Sequence, residues 1–251
     1  MANLITSGSN PEIRALAALH KRSARDETGK FLIEGRREIE RAVASGWELV
    51  KIVRREGVEP IALGVEDLEV GAKAFERIAY GRDGLVAVAR IPRFDVADWS
   101  PPDLILVAVG IEKPGNLGAM LRTCDAAGAG LLVVDPATDL TNPNTVRAST
   151  GALFTVPLAV TSTEESISWL QDLGYAIAIA TVDGGAPPWE TDLGRATAIV
   201  VGSEDRGLAD PWIDAAQERV TIPQAGNVDS LNASITAAIL LYESVRQRKQ
   251  T

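Results

Sequence analysis

The second part of the chain carries near-continuous apolar runs instead of alternating apolar and polar positions. These runs are Leu104–Val109, Leu131–Val134, Ala176–Ala180, Ala198–Val201 and Val220–Ile222. Because a strand that is buried on both faces has few polar positions, the runs predict a parallel sheet. The stretches with helical periodicity between and after them are Leu117–Ala127, Thr163–Leu173, Pro211–Ala216 and Ser230–Arg246. This alternation predicts an open α/β domain with helices on both faces of its sheet.

The first part of the chain has a mixed pattern and ends in a proline-rich stretch. Its predicted elements are two helices, Ile13–Lys21 and Arg36–Ser45, and three short strands, Phe31–Ile33, Leu49–Val53 and Leu85–Ala89. Ile91–Pro102 contains three prolines, and the pattern changes across it. We therefore predict a small α/β domain over residues 1–92, a linker over 93–102 and the parallel-sheet domain over 103–251.

Candidate chemistry is expected where the strands of the second domain end. Open parallel sheets bind ligands in crevices at the carboxyl ends of their strands. The loops that follow Val109, Ala180, Val201 and Ile222 are all rich in Gly, Asn, Ser, Asp or Pro. These four loops are therefore the places to look for a site.

Two common nucleotide-binding motifs are absent from the chain. After Gly110-Ile-Glu-Lys-Pro-Gly115, a phosphate loop would need Lys followed by Ser or Thr, but Asn116-Leu117 stands there. Gly128-Ala-Gly130 precedes a strand and has no third glycine, so it is not a dinucleotide fingerprint. The sequence argues against a kinase, an NTPase and a dinucleotide-dependent dehydrogenase.

The composition limits the chemistry further. The 251 residues include one cysteine, Cys124, and one histidine, His20. This count excludes an internal disulfide framework, a multi-cysteine metal site and His-pair zinc chemistry, and it argues against a Ser-His-Asp triad. No apolar run reaches the roughly 18–20 residues of a membrane span, and the first residues lack the pattern of a signal peptide. We therefore expect a cytoplasmic protein that uses no metal and binds no membrane.

The net charge of −9 is unevenly distributed. Residues 1–95 contain 16 basic and 15 acidic residues, whereas 96–251 contain 9 and 19. Within 14–41, eight basic residues outnumber five acidic ones. That excess permits a polyanion-binding patch, and the alternative is a solvated helix face. The densest part, from Lys21 to Lys30, surrounds a predicted loop ahead of the Phe31 strand.

Four motifs follow one another through the second part of the chain. They are Asn116-x-Gly-x-x-x-Arg122, Arg147-Ala-Ser-x-Gly-Ala-x-Phe-x-x-Pro157, Gly202-x-Glu204-x-x-Gly-Leu208, and Ile222-Pro-x-x-Gly226 followed by Ser230-Leu-Asn232-x-Ser234. Taken singly, Asn116 and Ser230 are readable as helix caps, Arg122 as a surface or ion-paired residue, Glu204 as a turn residue and Asn232 as a first-turn residue. Cys124, with no base nearby in sequence, is typical of a small buried hydrophobe.

Together, these motifs resemble the SpoU (TrmH-type) family of RNA ribose 2′-O-methyltransferases, part of the SPOUT superfamily. The resemblance covers residues 104–248. Residues 12–90 are similar to the family's auxiliary RNA-binding domain, notably over Gly29–Gly35. The resemblance implies that the carboxy-terminal segment threads a loop to make a deep trefoil knot, one of the rare exceptions to the rule against knots. It also implies a homodimer that packs through the knotted domain.

The resemblance also implies the cofactor and the site residues. The cofactor is S-adenosylmethionine, and the residues that match its contacts are Thr181, Gly202, Ile222 and Leu231. The matching catalytic residues are Asn116, Arg122, Glu204, Ser230 and Asn232. In the family, the arginine activates the 2′-hydroxyl at the cofactor site of the opposite subunit. Because a guanidinium is a poor base, we expect Arg122 to hold the target's phosphate and orient the hydroxyl, rather than to lose its proton transiently on burial.

The substrate is the least determined part of the sequence analysis. A domain ahead of the knot is typical of the family's ribosomal RNA enzymes, so we expect 23S ribosomal RNA, with an antibiotic-resistance enzyme as one version. The alternatives are a tRNA 2′-O-methyltransferase and a non-catalytic RNA-binding or ribosome-assembly factor. We expect RNA contacts at Arg22, Arg25, Lys30 and Arg147.

Overall fold

The computed structural model describes residues 4–81 and 83–250, which divide by their contacts into two compact units. Unit 1 contains the residues up to Arg93 together with Asp139–Thr155, and unit 2 contains Phe94–Thr138 and the residues from Val156 onwards. The helices are α1 (Pro11–Ala18), α2 (Arg22–Thr28), α3 (Arg36–Ala44), α4 (Ala72–Phe75), α5 (Pro114–Ala127), α6 (Pro143–Ser149), α7 (Thr163–Asp172), α8 (Asp210–Ala215) and α9 (Ala233–Arg248). The strands are β1 (Lys30–Glu34), β2 (Leu49–Arg55), β3 (Glu66–Val70), β4 (Leu85–Arg90), β5 (Leu104–Val109), β6 (Gly130–Val134), β7 (Leu158–Thr161), β8 (Ala176–Thr181), β9 (Thr197–Val201) and β10 (Glu218–Thr221).

Unit 1 is built on a mixed sheet of four strands in the order β1-β4-β2-β3. β4 pairs antiparallel with both β1 and β2, and β3 joins β2 in parallel. One face of the sheet buries Leu32, Val53 and Val88 against Ile13 of α1 and Ile78. This sheet and its helices confirm the predicted small α/β fold.

Residues 139–155 pack with unit 1, although the sequence pattern placed them in the second domain. α6 lies against β1, and the short 3₁₀ turn Ala152–Phe154 lies against α3. The rings of Phe154 and Trp47 meet edge to face at 5.1 Å. Arg41 donates a hydrogen bond to the carbonyl of Thr150 at 2.8 Å. The motif segment around Arg147 therefore belongs structurally with the amino-terminal residues.

Arg25 lies in the interior of unit 1, where it binds protein groups. The sequence predicted a loop here, but the segment forms the helix α2, which ends at Gly29 in a left-handed conformation. The side chain of Arg25 is 2% exposed, and its guanidinium pairs with Asp139 at 2.7 Å. It also donates to the carbonyls of Leu19 and His20 at 2.9 and 3.0 Å. This burial contradicts the prediction that Arg25 contacts RNA.

We expect Arg25→Ala to destabilise the protein. The substitution leaves the half-buried carboxylate of Asp139 without its cation, which costs about 3 kcal/mol of unfolding free energy. Denaturant unfolding measures the loss. The matched control is Arg22→Ala, because the side chain of Arg22 is 55% exposed and its ion pair with Asp26 is long, at 3.7 Å. This substitution should change the unfolding free energy by less than about 0.5 kcal/mol. Equal stability of the two variants would contradict the assignment.

Unit 2 is an all-parallel sheet of six strands in the order β10-β8-β9-β5-β6-β7. Ile105, Val107 and Val200 form one buried cluster with Leu170 of α7 and Trp212 of α8. The alternate strand positions are buried as well, since every residue of β6 and β9 is buried. α5 and α9 pack on each other and against β5, β6 and β9. The parallel-sheet prediction is therefore confirmed.

The strand order reverses direction between β5 and β9, the two central strands. From β5 the chain proceeds to β6 and β7 on one side, and later fills the other side with β8, β9 and β10. In such sheets the carboxyl ends of the two strands at the reversal border a crevice. Among the described residues, no helix has the length and apolar character needed to cross a bilayer.

The final helix, α9, does not bury the apolar side that the sequence spacing predicts. It buries a different side. The apolar positions that share one side in the sequence are Leu231, Ile235, Ala238, Tyr242 and Val245. The buried positions of α9 are instead Ala233, Ser234, Ala237, Leu240, Leu241 and Ser244. Four of these six residues are Ala or Ser, and α9 packs on α5. Ile235, Ile239 and Tyr242 remain exposed on the helix surface.

Candidate active site

Three of the predicted catalytic side chains meet at the crevice of unit 2. Asn116 lies in the first turn of α5, Glu204 follows β9, and Asn232 caps the amino-terminal end of α9. Asn232 Nδ2 donates to Glu204 Oε1 at 2.6 Å and to Asn116 Oδ1 at 3.1 Å. Asn116 Nδ2 donates to Glu204 Oε1 at 3.1 Å. We call these three residues the polar triad.

The cap of α9 orients the triad. Asn232 Oδ1 accepts hydrogen bonds from the backbone N–H and the hydroxyl of Ser234, at 3.0 and 2.6 Å. These bonds use the carbonyl end of the amide, so the Nδ2 end points at Glu204. The sequence offered helix-cap readings for Asn116 and Ser230, but Asn232 holds the cap and α5 begins earlier, at Pro114.

Glu204 is held in its ionised form by several donors. The strongest is Lys113, whose Nζ contacts Glu204 Oε2, and Asn116 and the backbone N–H of Ala233 also donate. Together these hydrogen bonds keep the pKa of Glu204 below its ordinary value, against the opposing effect of burial. The bond to Glu204 in turn raises the pKa of Lys113. Sequence analysis missed Lys113, because 91 residues separate it from Glu204 and only the fold brings the two charges together.

Lys113→Met should raise the pKa of Glu204 towards its ordinary value, because the strongest donor is lost. Since that pKa is lowered in the folded state, ionised Glu204 stabilises the fold at neutral pH, and this contribution disappears as the pH falls through the folded pKa. The variant should lose it at a higher pH than the parent. An NMR titration of the Glu204 carboxyl measures the midpoint, with Lys113→Arg as the control that keeps a cation. An unchanged midpoint in Lys113→Met would contradict the assignment.

A cavity of about 300 Å³ opens at the carboxyl ends of β8, β9 and β10. All four residues that the sequence assigned to the cofactor line it: Thr181, Gly202, Ile222 and Leu231. Thr181 Oγ1 lies 3.1 Å from Thr221 Oγ1, which fixes one wall. Concave sites of roughly 300–1,000 Å³ are typical of small-molecule binding. The structure therefore brings the predicted cofactor residues around one space.

Gly202 stands where no side chain fits. A Cβ at this position would lie 2.3 Å from the carbonyl oxygen of Gly207 and 3.0 Å from the amide nitrogen of Leu208. The turn is held by a hydrogen bond from the Gly207 N–H to the Ser203 carbonyl at 3.0 Å. The main chain at Gly202 thus forms part of the cavity wall with no side chain in front of it.

Two predicted catalytic residues lie apart from the triad. Ser230 lines the cavity beside Leu231. Arg122 is exposed on α5 and, within the described part of the chain, makes no hydrogen bond or ion pair. It is also absent from the lining of the cavity. Cys124, on the same helix, is buried, and burial raises the pKa of its thiol. The buried thiol agrees with the interpretation of Cys124 as a core residue.

The predicted RNA-contact residues other than Arg25 all lie on unit 1. Arg22 is exposed on α2, and Lys30 is partly buried at the start of β1. Arg147 is exposed on α6, and its guanidinium lies 5.6 Å from the ring centre of Tyr80. Arg22 and Arg147 are thus accessible to a ligand, and Lys30 is partly accessible.

Comparison with known proteins gives two family matches. The model of the SpoU rRNA Methylase family matches residues 103–242, which includes the triad and the cavity. The MRM3-like substrate binding domain matches residues 10–84. The first match covers more than half of the chain.

Relatives match over nearly the whole chain. The 23S rRNA (uridine(2479)-2′-O)-methyltransferase of Streptomyces viridochromogenes is 33% identical over 92% of this chain and 88% of its own length. A crystal structure of an RNA 2′-O ribose methyltransferase is 42% identical, with a TM-score of 0.86 over 98% of this chain and 99% of that one. An AdoMet-bound rRNA methyltransferase from Sinorhizobium meliloti is 32% identical, with a TM-score of 0.89 over 96% and 97%.

Proposed function

This chain belongs to the SpoU rRNA methylase family, and we propose that it transfers the methyl group of S-adenosylmethionine to a ribose 2′-hydroxyl of 23S ribosomal RNA. The observation that carries the proposal is the position of Glu204. This residue is part of the polar triad, and it also lines the same cavity as the four predicted cofactor residues. A fixed polar cluster thus borders a space for a small molecule, as a transfer between two bound substrates requires.

The cavity fits S-adenosylmethionine. The side-chain-free wall at Gly202 offers main-chain groups at close range, and Ile222 and Leu231 offer apolar surface. When bound, this cofactor supplies an electrophilic methyl group, so the chain needs to orient the 2′-oxygen and accommodate the loss of one proton. Thr181, Gly202, Ile222 and Leu231 would hold the cofactor. The triad, with Ser230 at the cavity wall, would position the ribose.

Arg122 acts across a homodimer interface in this proposal. Within one chain Arg122 is exposed, and the residues around the cavity do not include it. α9 packs against the helix of Arg122 and exposes Ile235, Ile239 and Tyr242, at the spacing of one helix side. An apolar stripe of this kind supports a twofold contact that buries it against a second copy. The arginine of one subunit would then hold an RNA phosphate at the cavity of the other.

The carboxy-terminal segment forms the deep trefoil knot in the same proposal. After β10, at one edge of the sheet, residues 222–232 lead to α9, which packs on the central strands β5 and β9. On the way, Ile222, Gln224, Ser230 and Leu231 line the cavity together with the loops that follow β8 and β9. This course beside two other loops supports the threading that the family resemblance implies.

Ribosomal RNA is the substrate we propose, with unit 1 as the main RNA-binding part. The match of residues 10–84 to a substrate-binding domain supports this division. The domain ranges 1–92, 93–102 and 103–251 remain predictions, with residues 139–155 packed against unit 1. The relatives named above with their organisms come from bacteria, in which ribosomal RNA is made and assembled in the cytoplasm, and we propose that this protein acts there too. Protection of the ribosome against an antibiotic stays a prediction.

The proposal is tested by methyl transfer from labelled S-adenosylmethionine to a 23S ribosomal RNA transcript and, separately, to total tRNA. Nuclease digestion and mass spectrometry should find a 2′-O-methylated nucleoside in the ribosomal RNA alone. Methylation confined to tRNA would establish the tRNA alternative. Binding of both RNA and cofactor without any transfer would establish the non-catalytic alternative.

A further inference from the structure

Unit 1 presents an aromatic side chain to solvent on a segment that hydrogen bonds hold in place. Tyr80 is 69% exposed. The backbone N–H groups of Tyr80 and Gly81 both donate to Glu34 Oε2, at 3.0 and 2.8 Å, so the segment that carries the ring is held in place. A single exposed ring is common on protein surfaces, so the exposure of Tyr80 does not by itself identify a site. The case for a ligand depends on the side chains that flank the ring.

Two further side chains flank the ring, and each is oriented by its own hydrogen bond. The ring of His20 lies 5.1 Å from the ring of Tyr80 at a tilt of 50°, and His20 Nε2 contacts the carbonyl of Ile78 at 2.8 Å. The guanidinium of Arg147 lies 5.6 Å from the ring centre, and its Nη2 donates to Asn144 at 2.7 Å. We call Tyr80, His20 and Arg147 the aromatic platform.

The platform borders two cavities that share Pro143 and Arg147. The more open one, of about 570 Å³, is lined by the platform itself and by Asn142 and Asn144. The other, of about 300 Å³, is lined by the carboxylates of Glu34, Glu38 and Asp83, which outnumber the guanidinium of Arg37 that pairs with Glu38. Carboxylates repel a phosphate but accept hydrogen bonds from the N–H groups of a base edge. The two cavities therefore suit the two ends of a nucleotide.

The chemistry of the platform matches unpaired RNA. Single-stranded RNA is recognised by stacking splayed bases on aromatic or guanidinium planes, combined with cationic contacts to phosphate. Tyr80 and His20 supply ring faces, and Arg147 supplies both a plane and a positive charge. A paired base could not reach the ring, because its faces are covered by its neighbours in the helix.

We infer that an unpaired nucleotide of the RNA substrate stacks on Tyr80, with its phosphate at Arg147 and its base edge towards the carboxylates of the smaller cavity. The inference rests on the proposed function, because it takes RNA as the ligand. It assigns Tyr80 and His20 to RNA recognition, which neither motif nor charge pattern indicated. Arg147 lies beside Tyr80 because residues 139–155 pack with unit 1.

The test measures binding and methylation of a 23S ribosomal RNA transcript by the parent, Tyr80→Ala and Tyr80→Phe. Loss of one stacked base should raise both Kd and KM by roughly five-fold or more in Tyr80→Ala and leave kcat unchanged. Tyr80→Phe keeps the ring and should stay within about two-fold of the parent. Because Tyr80 carries no charge, the slope of log Kd against log salt should not change, whereas Arg147→Gln should lower it by about 0.7. Arg219→Gln, at an exposed arginine of unit 2 outside the platform, is the matched control for charge.

Several outcomes would overturn the inference. Parental affinity in Tyr80→Ala would remove the stacking contact. A Tyr80→Phe variant as weak as Tyr80→Ala would show that the hydroxyl matters, not the ring. Photo-crosslinking of a transcript containing 4-thiouridine should join Tyr80 to an unpaired uridine, and crosslinks confined to paired uridines would also contradict it. If the parent binds the transcript but transfers no methyl group, the proposed function fails while the binding comparison still decides the fate of the platform.

Discussion

Replacing Arg122 with Ala is expected to abolish methyl transfer and to change the affinity for S-adenosylmethionine less than a few-fold. The first effect follows because the proposed role of the guanidinium is to hold the RNA phosphate and orient the 2′-hydroxyl. Loss of a preorganised charged donor of this kind costs roughly 10²–10³ in rate. The second effect follows because Arg122 is absent from the lining of the cavity. Single-turnover methylation and calorimetry with the cofactor measure the two effects separately.

Two control variants sharpen this experiment. Arg122→Lys keeps the positive charge but loses the planar fork, so it should recover only part of the rate. Arg219→Ala removes another exposed arginine of unit 2 and should behave like the parent. Near-parental transfer by Arg122→Ala would remove Arg122 from the mechanism. A large loss of cofactor affinity would place Arg122 on the cofactor side instead.

The sequence predicted the sheet of unit 2 well because burial on both faces leaves a direct mark on composition. The run Leu104–Val109 and the strand β5 coincide. By contrast, β3 was missed, because Glu66–Val70 is an acidic edge strand whose first two residues are exposed. β7 was missed too, since Leu158–Thr161 is short and only partly buried. Strands whose residues face water lack the apolar run that identified the others.

The active-site motifs were readable from sequence, but their partnerships were not. Residue type and spacing pointed to Asn116, Glu204 and Asn232, and the fold brings these three within hydrogen-bonding distance. Nothing local distinguishes Lys113 from other exposed lysines, and its pairing with Glu204 depends on the reversal of strand order between β5 and β9. Arg25 was misread because its partner is also distant in the sequence. Its partner, Asp139, is 114 residues away, so a basic residue in a basic stretch gave no sign that it would be buried.

The sequence pattern also failed to predict that the motif segment around Arg147 packs with the first part of the chain. Residues 139–155 follow β6 in the chain and were assigned to the same domain by continuity. They contact α3 and β1, and single contacts join Thr150 to Arg41, Phe154 to Trp47 and Asp139 to Arg25 of α2. Side-chain pairings at such separations carry no periodic signal. Only the folded structure of unit 1 brings these side chains together.

Gly202→Val is expected to eliminate cofactor binding, with a loss of at least about a hundred-fold in affinity. The added Cβ would lie 2.3 Å from the Gly207 carbonyl oxygen and 3.0 Å from the Leu208 nitrogen, both backbone atoms. The turn over 203–207 must therefore move, and the cavity wall moves with it, at a cost typical of a strained backbone. Calorimetry with S-adenosylmethionine measures the loss. Gly194→Ala is the matched control in unit 2, because its Cβ would meet only ordinary contacts from 3.6 Å outwards. Parental cofactor affinity in Gly202→Val would show that this wall does not touch the cofactor.

The same variant decides whether the site spans two subunits. Neither Gly202→Val nor Arg122→Ala should transfer methyl groups alone. In a mixed dimer, the intact cavity of the Arg122→Ala chain faces the intact Arg122 of the Gly202→Val chain, so one of the two sites is complete. Equal amounts of the two variants, after subunit exchange, should therefore regain about one quarter of the parental activity. If each site were built within one chain, every site in the mixture would lack either its cavity or its arginine. Mixing would then restore nothing, even where native mass spectrometry shows that the subunits have exchanged.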